Sequence, residues 1–137
     1  MKISIKTSQL LLLFSLILVG MACKKEEEAM VPQRNWRVTY SVLAISDIEV
    51  NSITYLDEFG TAQTVPGDRN FSFSIEAETG FTARMLVSAE AINGGLVATI
   101  DAQSLDGALD NVVAREDGGH SGTEAQPVDV TVELRLP

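Results

Sequence analysis

Val128-Asp129-Val130-Thr131-Val132-Glu133-Leu134-Arg135-Leu136 alternates apolar and polar side chains without a break. A helix, at about 3.6 residues per turn, would scatter those apolar residues around its circumference. A strand sets all of them on one face. The stretch therefore predicts a half-buried β-strand, with Val128, Val130, Val132, Leu134 and Leu136 toward a core and Asp129, Thr131, Glu133 and Arg135 toward water.

The same period recurs upstream. Trp36, Val38, Tyr40 and Val42 alternate with Arg37, Thr39 and Ser41. Ile48 and Val50 alternate with Glu49, and 53–56 continues them as a second strand. Asp57-Glu58-Phe59-Gly60 predicts a tight turn, with Gly60 free to take positive φ, and 61–65 returns as the hairpin partner. Phe71, Phe73 and Ile75 alternate with Ser72, Ser74 and Glu76. Glu78-Thr79-Gly80 predicts a turn, 81–92 a strand with a bulge, and Asn93-Gly94-Gly95 another turn. Leu96, Ala98 and Ile100 share a side of the strand that follows. Residues 105–114 fit either a short helical turn or an irregular crossover. Residues 116–126, rich in Gly, Ser and acids, predict a mobile loop. The expected fold is all-β: one antiparallel β-sandwich, immunoglobulin-like, of about seven short strands over 34–137.

The 137 residues carry a formal net charge of −9, and the basic residues of the expected domain do not cluster. That balance repels phosphate backbones and excludes a nucleic-acid partner. After an N-terminal segment is set aside, roughly one hundred residues stand for one domain and one core. The single cysteine, Cys23, rules out an intrachain disulfide and a thiolate zinc site.

Cys23 stands where an export signal ends. Lys2 and Lys6 are followed by an apolar run over 10–19, broken only by Ser15, and then by Gly20-Met21-Ala22. The run is too short for the roughly 20 residues that cross a bilayer. Residues 1–22 resemble a bacterial lipoprotein signal peptide. The resemblance implies cleavage before Cys23 and acyl chains on its thiol, so that the chain meets the membrane through those chains. Residues 23–33 read as a charged flexible tether. Within it, Lys24, Lys25, Glu26, Glu27 and Glu28 resemble the surface-export run of Bacteroidetes-type lipoproteins, which implies display on the outer face of the outer membrane. A plain spacer on a periplasm-facing protein is the alternative.

In the expected domain, Ile53-Thr54-Tyr55-Leu56-Asp57-Glu58, Phe59-Gly60 and Gln63-Thr64-Val65 resemble the soluble domain of the mycobacterial small membrane proteins of the MmpS family. Val38-Thr39-Tyr40 and Thr99-Ile100-Asp101 fall on similar strand segments. The resemblance spans 38–103. It implies a small β-sandwich that assists an envelope exporter of lipids or siderophores. Arg69-Asn70-Phe71-Ser72 stands in place of the family's Leu-Pro-Trp segment, and the family's disulfide cysteines are absent.

Chemistry-bearing clusters are sparse. His120 sits between Gly118-Gly119 and Ser121-Gly122, where a glycine loop would not hold triad geometry with Ser121. Asp101, Asp106, Asp110 and Asn111 are oxygen-rich, but their spacing departs from the EF-hand loop. Trp36, Tyr40, Tyr55, Phe71, Phe73 and Phe81 take core-facing parity; Phe59, in a turn, is the contact candidate. These observations predict a protein that is not an enzyme and has no cofactor or metal. It is expected to be a lipid-anchored envelope module binding a protein or a glycan. The alternatives are a transporter accessory subunit, as the MmpS likeness implies, and a calcium-dependent carbohydrate or adhesion module.

Overall fold

The computed structural model describes residues 33–107 and 111–137. The expected signal at 1–22, Cys23, and the tether apart from Gln33 lie outside the described residues. The domain has five strands: β1 (Asn35–Leu56), β2 (Ala62–Pro66), β3 (Asn70–Glu78), β4 (Thr82–Ser104) and β5 (Val112–Arg135). All pairings are antiparallel and belong to one sheet, in the order β2-β1-β4-β5. β3 pairs with β1 over 35–43, beyond the part of β1 that β2 occupies at 52–56.

This overturns the expected immunoglobulin-like sandwich of about seven short strands. The chain makes one open hydrogen-bonded sheet, neither two stacked sheets nor a closed barrel. Three of its strands, β1, β4 and β5, run 22, 23 and 24 residues: β1 joins two expected strands, and β4 and β5 run through an expected turn and an expected loop. Asn93-Gly94-Gly95 is no turn: β4 continues through it, pairing Gly94 with Ser46 on one side and with His120 on the other. A Cβ on Gly94 would lie 2.5 Å from the carbonyl oxygen of Ile45. Glycine serves here for close backbone approach. Residues 116–126 are likewise no loop. They lie in β5, where Gly118 pairs with Leu96 and Gly119 with Gly95; only 122–125 fall outside the ladder. Backbone pairing with β4 overrides a composition that by itself favours a loop.

β1 explains how a single sheet encloses a core. Tyr40 and Tyr55 both lie on it, and a straight strand would hold them about 50 Å apart. Their ring centroids are 5.4 Å apart, and the Tyr40 hydroxyl donates to the Leu56 carbonyl at 2.7 Å. The strand doubles back between them. Ser46 there takes φ 64°, a left-handed conformation unusual for a non-glycine residue. Arg69 Nη2 donates to the Ser46 carbonyl at 2.7 Å, and the Ala44 amide donates to the Arg69 carbonyl at 2.9 Å.

Two extra residues keep the apolar side chains inward around the bend. Asn51 is unpaired in β1, and Ile92 is unpaired in β4. Buried positions in β1 accordingly change from 36, 38, 40, 42, 44, 48 and 50 to 53 and 55; in β4 they change from 83–91 odd to 96–104 even. A one-residue insertion reverses which face a side chain meets. The inner side chains of both arms form one cluster, from Trp36 and Val38 to Val130 and Val132.

The closing strand follows its sequence. Val128, Val130, Val132, Leu134 and Leu136 are buried, and the residues between them are exposed. Val132→Asp sets an unpaired carboxylate in the core and is expected to cost more than about 3 kcal/mol. Thr131→Asp, on the wet face, is expected to stay within about 0.5 kcal/mol of the parent. Urea melts in dilute solution check this; equal losses would contradict the assignment of faces.

Candidate functional site

The β1–β2 hairpin projects the most exposed large apolar side chain among the described residues. Phe59 is 84% exposed. Its turn is nonetheless tightly specified. The Asp57 amide donates to the Thr61 carbonyl and the Gly60 amide to the Asp57 carbonyl, both at 2.9 Å. Gly60 takes φ 74°, where a side chain would be strained. The Asp57 carboxylate does the rest. Oδ1 accepts from the Phe59 amide at 3.0 Å and the Thr61 amide at 2.9 Å, and Oδ2 accepts from Gln63 Nε2 at 2.8 Å. An aspartate bonding its own backbone two residues on is a known turn device. These donors, the Thr61 amide first and then Gln63, hold the Asp57 carboxyl below its usual range.

The hairpin is rooted in aromatic packing. Tyr55 lies 5.4 Å from Tyr40, 5.9 Å from Phe71 and 5.0 Å from Phe73, ring centre to ring centre. Burial pushes the Tyr40 phenol well above its ordinary value, against the smaller opposing effect of the Arg84 backbone amide. The hydroxyl therefore stays protonated and anchors Leu56. On the outer side, the Thr54 and Thr64 hydroxyls bond each other at 2.8 Å. Of the aromatics expected in the core, Trp36, Tyr40 and Tyr55 are buried, and Phe71 and Phe81 are partly buried. Phe73 departs from the expectation at 41% exposed. It sits on β3, an edge strand, so no further strand covers its outer flank.

The other candidates do not assemble. His120 lies on β5 opposite Gly94, in a strand and not in a loop. A Cβ on Gly122 would come within 2.5 Å of its Nε2, so the ring leans over that glycine. Ser121, the next residue on the strand, points to the opposite face. Asp106 is engaged by Arg34, Nε to Oδ2 at 3.4 Å, and by the Ser104 hydroxyl. Asp101 is in β4, and Asp110 lies outside the described residues. Among the described residues no group of three or more His, Cys, Asp or Glu side chains is placed to hold a metal. Cys23 and the run Lys24, Lys25, Glu26, Glu27, Glu28 also lie outside them.

A shallow hollow of about 130 Å³ beside the hairpin is lined by Thr54, Tyr55, Leu56, Ala62, Arg84 and Leu86. That is small against the roughly 300–1,000 Å³ of ordinary small-molecule sites. Among the described residues no helix is long and apolar enough to cross a membrane. Comparison with known protein families, with curated proteins and with solved structures finds no match.

The low Asp57 pKa gives a signed expectation. Its contribution to the turn is fully present above the unfolded carboxylate value, about 3.9. It is lost as pH falls through the lower folded value. The Phe59 and Thr61 amide resonances should hold steady from neutrality to about pH 4 and move below it. Asp57→Ala should abolish that acid transition at both amides. A midpoint above the unfolded value would contradict the clamp.

Proposed function

We propose that this chain is an exported, lipid-anchored, non-enzymatic module that engages an envelope protein through the Phe59 hairpin tip. The observation that carries the reading is Phe59 itself, exposed on a turn that Asp57 fixes with three side-chain hydrogen bonds. A contact residue whose backbone is fixed beforehand loses less conformational entropy on binding, and aromatic residues are enriched at interfaces.

The Tyr40–Leu56 hydrogen bond sets the root of the hairpin near the start of β1. The tip and Gln33, where the expected tether ends, thus lie toward the same end of the domain. Cys23, behind the apolar run at 10–19, supports the anchor, and the run Lys24 to Glu28 supports display on the outer membrane surface. A glycan platform has less support, because most of the aromatic rings are spent in the core. The MmpS likeness implies one class of protein partner, an envelope transporter.

A photo-crosslinking amino acid at position 59, in cells making the full chain, tests the reading. The expected result is one discrete adduct with an envelope protein, lost on Asp57→Ala and on Cys23→Ser. No adduct, or one indifferent to Asp57→Ala, would overturn the tip as the contact. An unacylated Cys23 in the same cells would overturn the anchor.

A further inference from the structure

We infer that β5 pairs with β5 of a second copy of this chain, antiparallel about a two-fold axis at Val132. β5 ends the sheet order, with β4 as its one strand neighbour. The Leu136 amide donates to the Phe81 carbonyl at 2.9 Å, and its carbonyl accepts from the Gly80 amide at 3.2 Å. Leu136 thus turns both backbone groups toward the β4 side. The ladder is unbroken over 128–135, so 128, 130, 132 and 134 do the same. Residues 129, 131, 133 and 135 present their N–H and C=O groups to the free flank. Pro127 and Pro137 bracket this strip and cannot donate a hydrogen bond.

The side chains select the partner and the register. A two-fold axis at Thr131 would oppose Asp129 to Glu133. An axis at Glu133 would oppose that residue to its own copy. An axis at Val132 opposes Asp129 to Arg135, and Thr131 to Glu133, each twice. On the inner face it opposes Val128 to Leu136, Val130 to Leu134, and Val132 to itself. The residues offering free backbone groups, 129 with 135 and 131 with 133, then meet as hydrogen-bonded pairs. The two prolines fall opposite each other and end the ladder. Backbone parity and apolar matching allow all three axes, and charge selects this one.

Within one chain Asp129 and Arg135 have no use for each other. They are about 20 Å apart along the strand. Asp129 lies opposite Ser88 and Arg135 opposite Thr82, both uncharged. Neither has an ion-pair partner among the described residues. Oppositely charged residues facing each other across strands stabilise a pairing, and like charges there oppose it. Repulsion between two acidic chains is screened beyond about 8 Å at physiological salt. An exposed edge invites uncontrolled pairing; an isologous contact closes it in a dimer.

The test uses the full chain in excess detergent micelles, followed by sedimentation over a wide range of concentration. The wild type should dimerise. Asp129→Arg and Arg135→Asp should each weaken the dimer at least ~10-fold. An equimolar mixture of the two variants should restore it as a heterodimer, and so should the double swap in one chain. A second readout uses cysteines in a Cys23→Ser chain. Oxidation should join copies of Val132→Cys, whose partner across the axis is itself, and leave Val130→Cys, opposite Leu134, unjoined. A wild type monomeric at every concentration, including one carrying an unrelated protein on β5, would overturn the inference. So would a dimer indifferent to the swaps, or equal linking at 130 and 132.

Discussion

Tyr40 and Tyr55 lie on one strand and touch, and the rest of the domain depends on that contact. It requires β1 to reverse between them, and β4 and β5 to follow. On β5, a Cβ on Gly118 would lie 2.6 Å from a methyl of Val130, so the two arms of that strand also face each other. Without the reversal, one face of a long open sheet would expose the apolar side chains that now form the core. At about 1.5–3 kcal/mol for each large side chain buried, that exposure exceeds what a small domain can bear.

The reversal is built from local departures from regular strand. Ser46 accepts a left-handed conformation, held by Arg69. Asn51 and Ile92 add one residue each and restore the inward face beyond the bend. Gly94 passes beneath the Ile45 carbonyl, and Gly67, whose amide donates to the Asn51 carbonyl at 3.1 Å, runs so close to Val50 that a Cβ would overlap its carbonyl oxygen. The strained backbone is gathered at one end of the arms. The hairpin tip and Gln33 lie toward the other, on unstrained strands. That division leaves Phe59 on a rigid support while the cost of bending falls elsewhere.

Much of this was legible in the sequence. Alternation over 128–136 marks the C-terminal arm of β5 and both of its faces. Asp57-Glu58-Phe59-Gly60 gave the hairpin turn, and Glu78-Thr79-Gly80 gave the turn where Gly80 takes φ 87°. The glycines of Asn93-Gly94-Gly95 and Gly118-Gly119 misled, because glycine marks both turns and close backbone approach, and only the partner strand distinguishes the two. Reading them as breaks cut β4 and β5 into short pieces and made a sandwich of one sheet. At the site, Phe59 was visible as an aromatic in a turn. The Asp57 clamp leaves a fainter trace in the sequence, an aspartate two residues before Phe59 and three before Gly60. Cys23 and the charges after it lie outside the described residues.

The reversal of β1 is most directly tested by nuclear Overhauser contacts in the folded domain. The account predicts strong ring-to-ring contacts between Tyr40 and Tyr55, together with unbroken cross-strand contacts from Ile45–Gly95 through Ser46–Gly94 to Ile48–Ala91. Continuous cross-strand contacts without the Tyr40–Tyr55 pair would mean a straight sheet. The ring contacts with a break at 45–48 would mean two separate sheets. Either result would contradict a single sheet that encloses its own core.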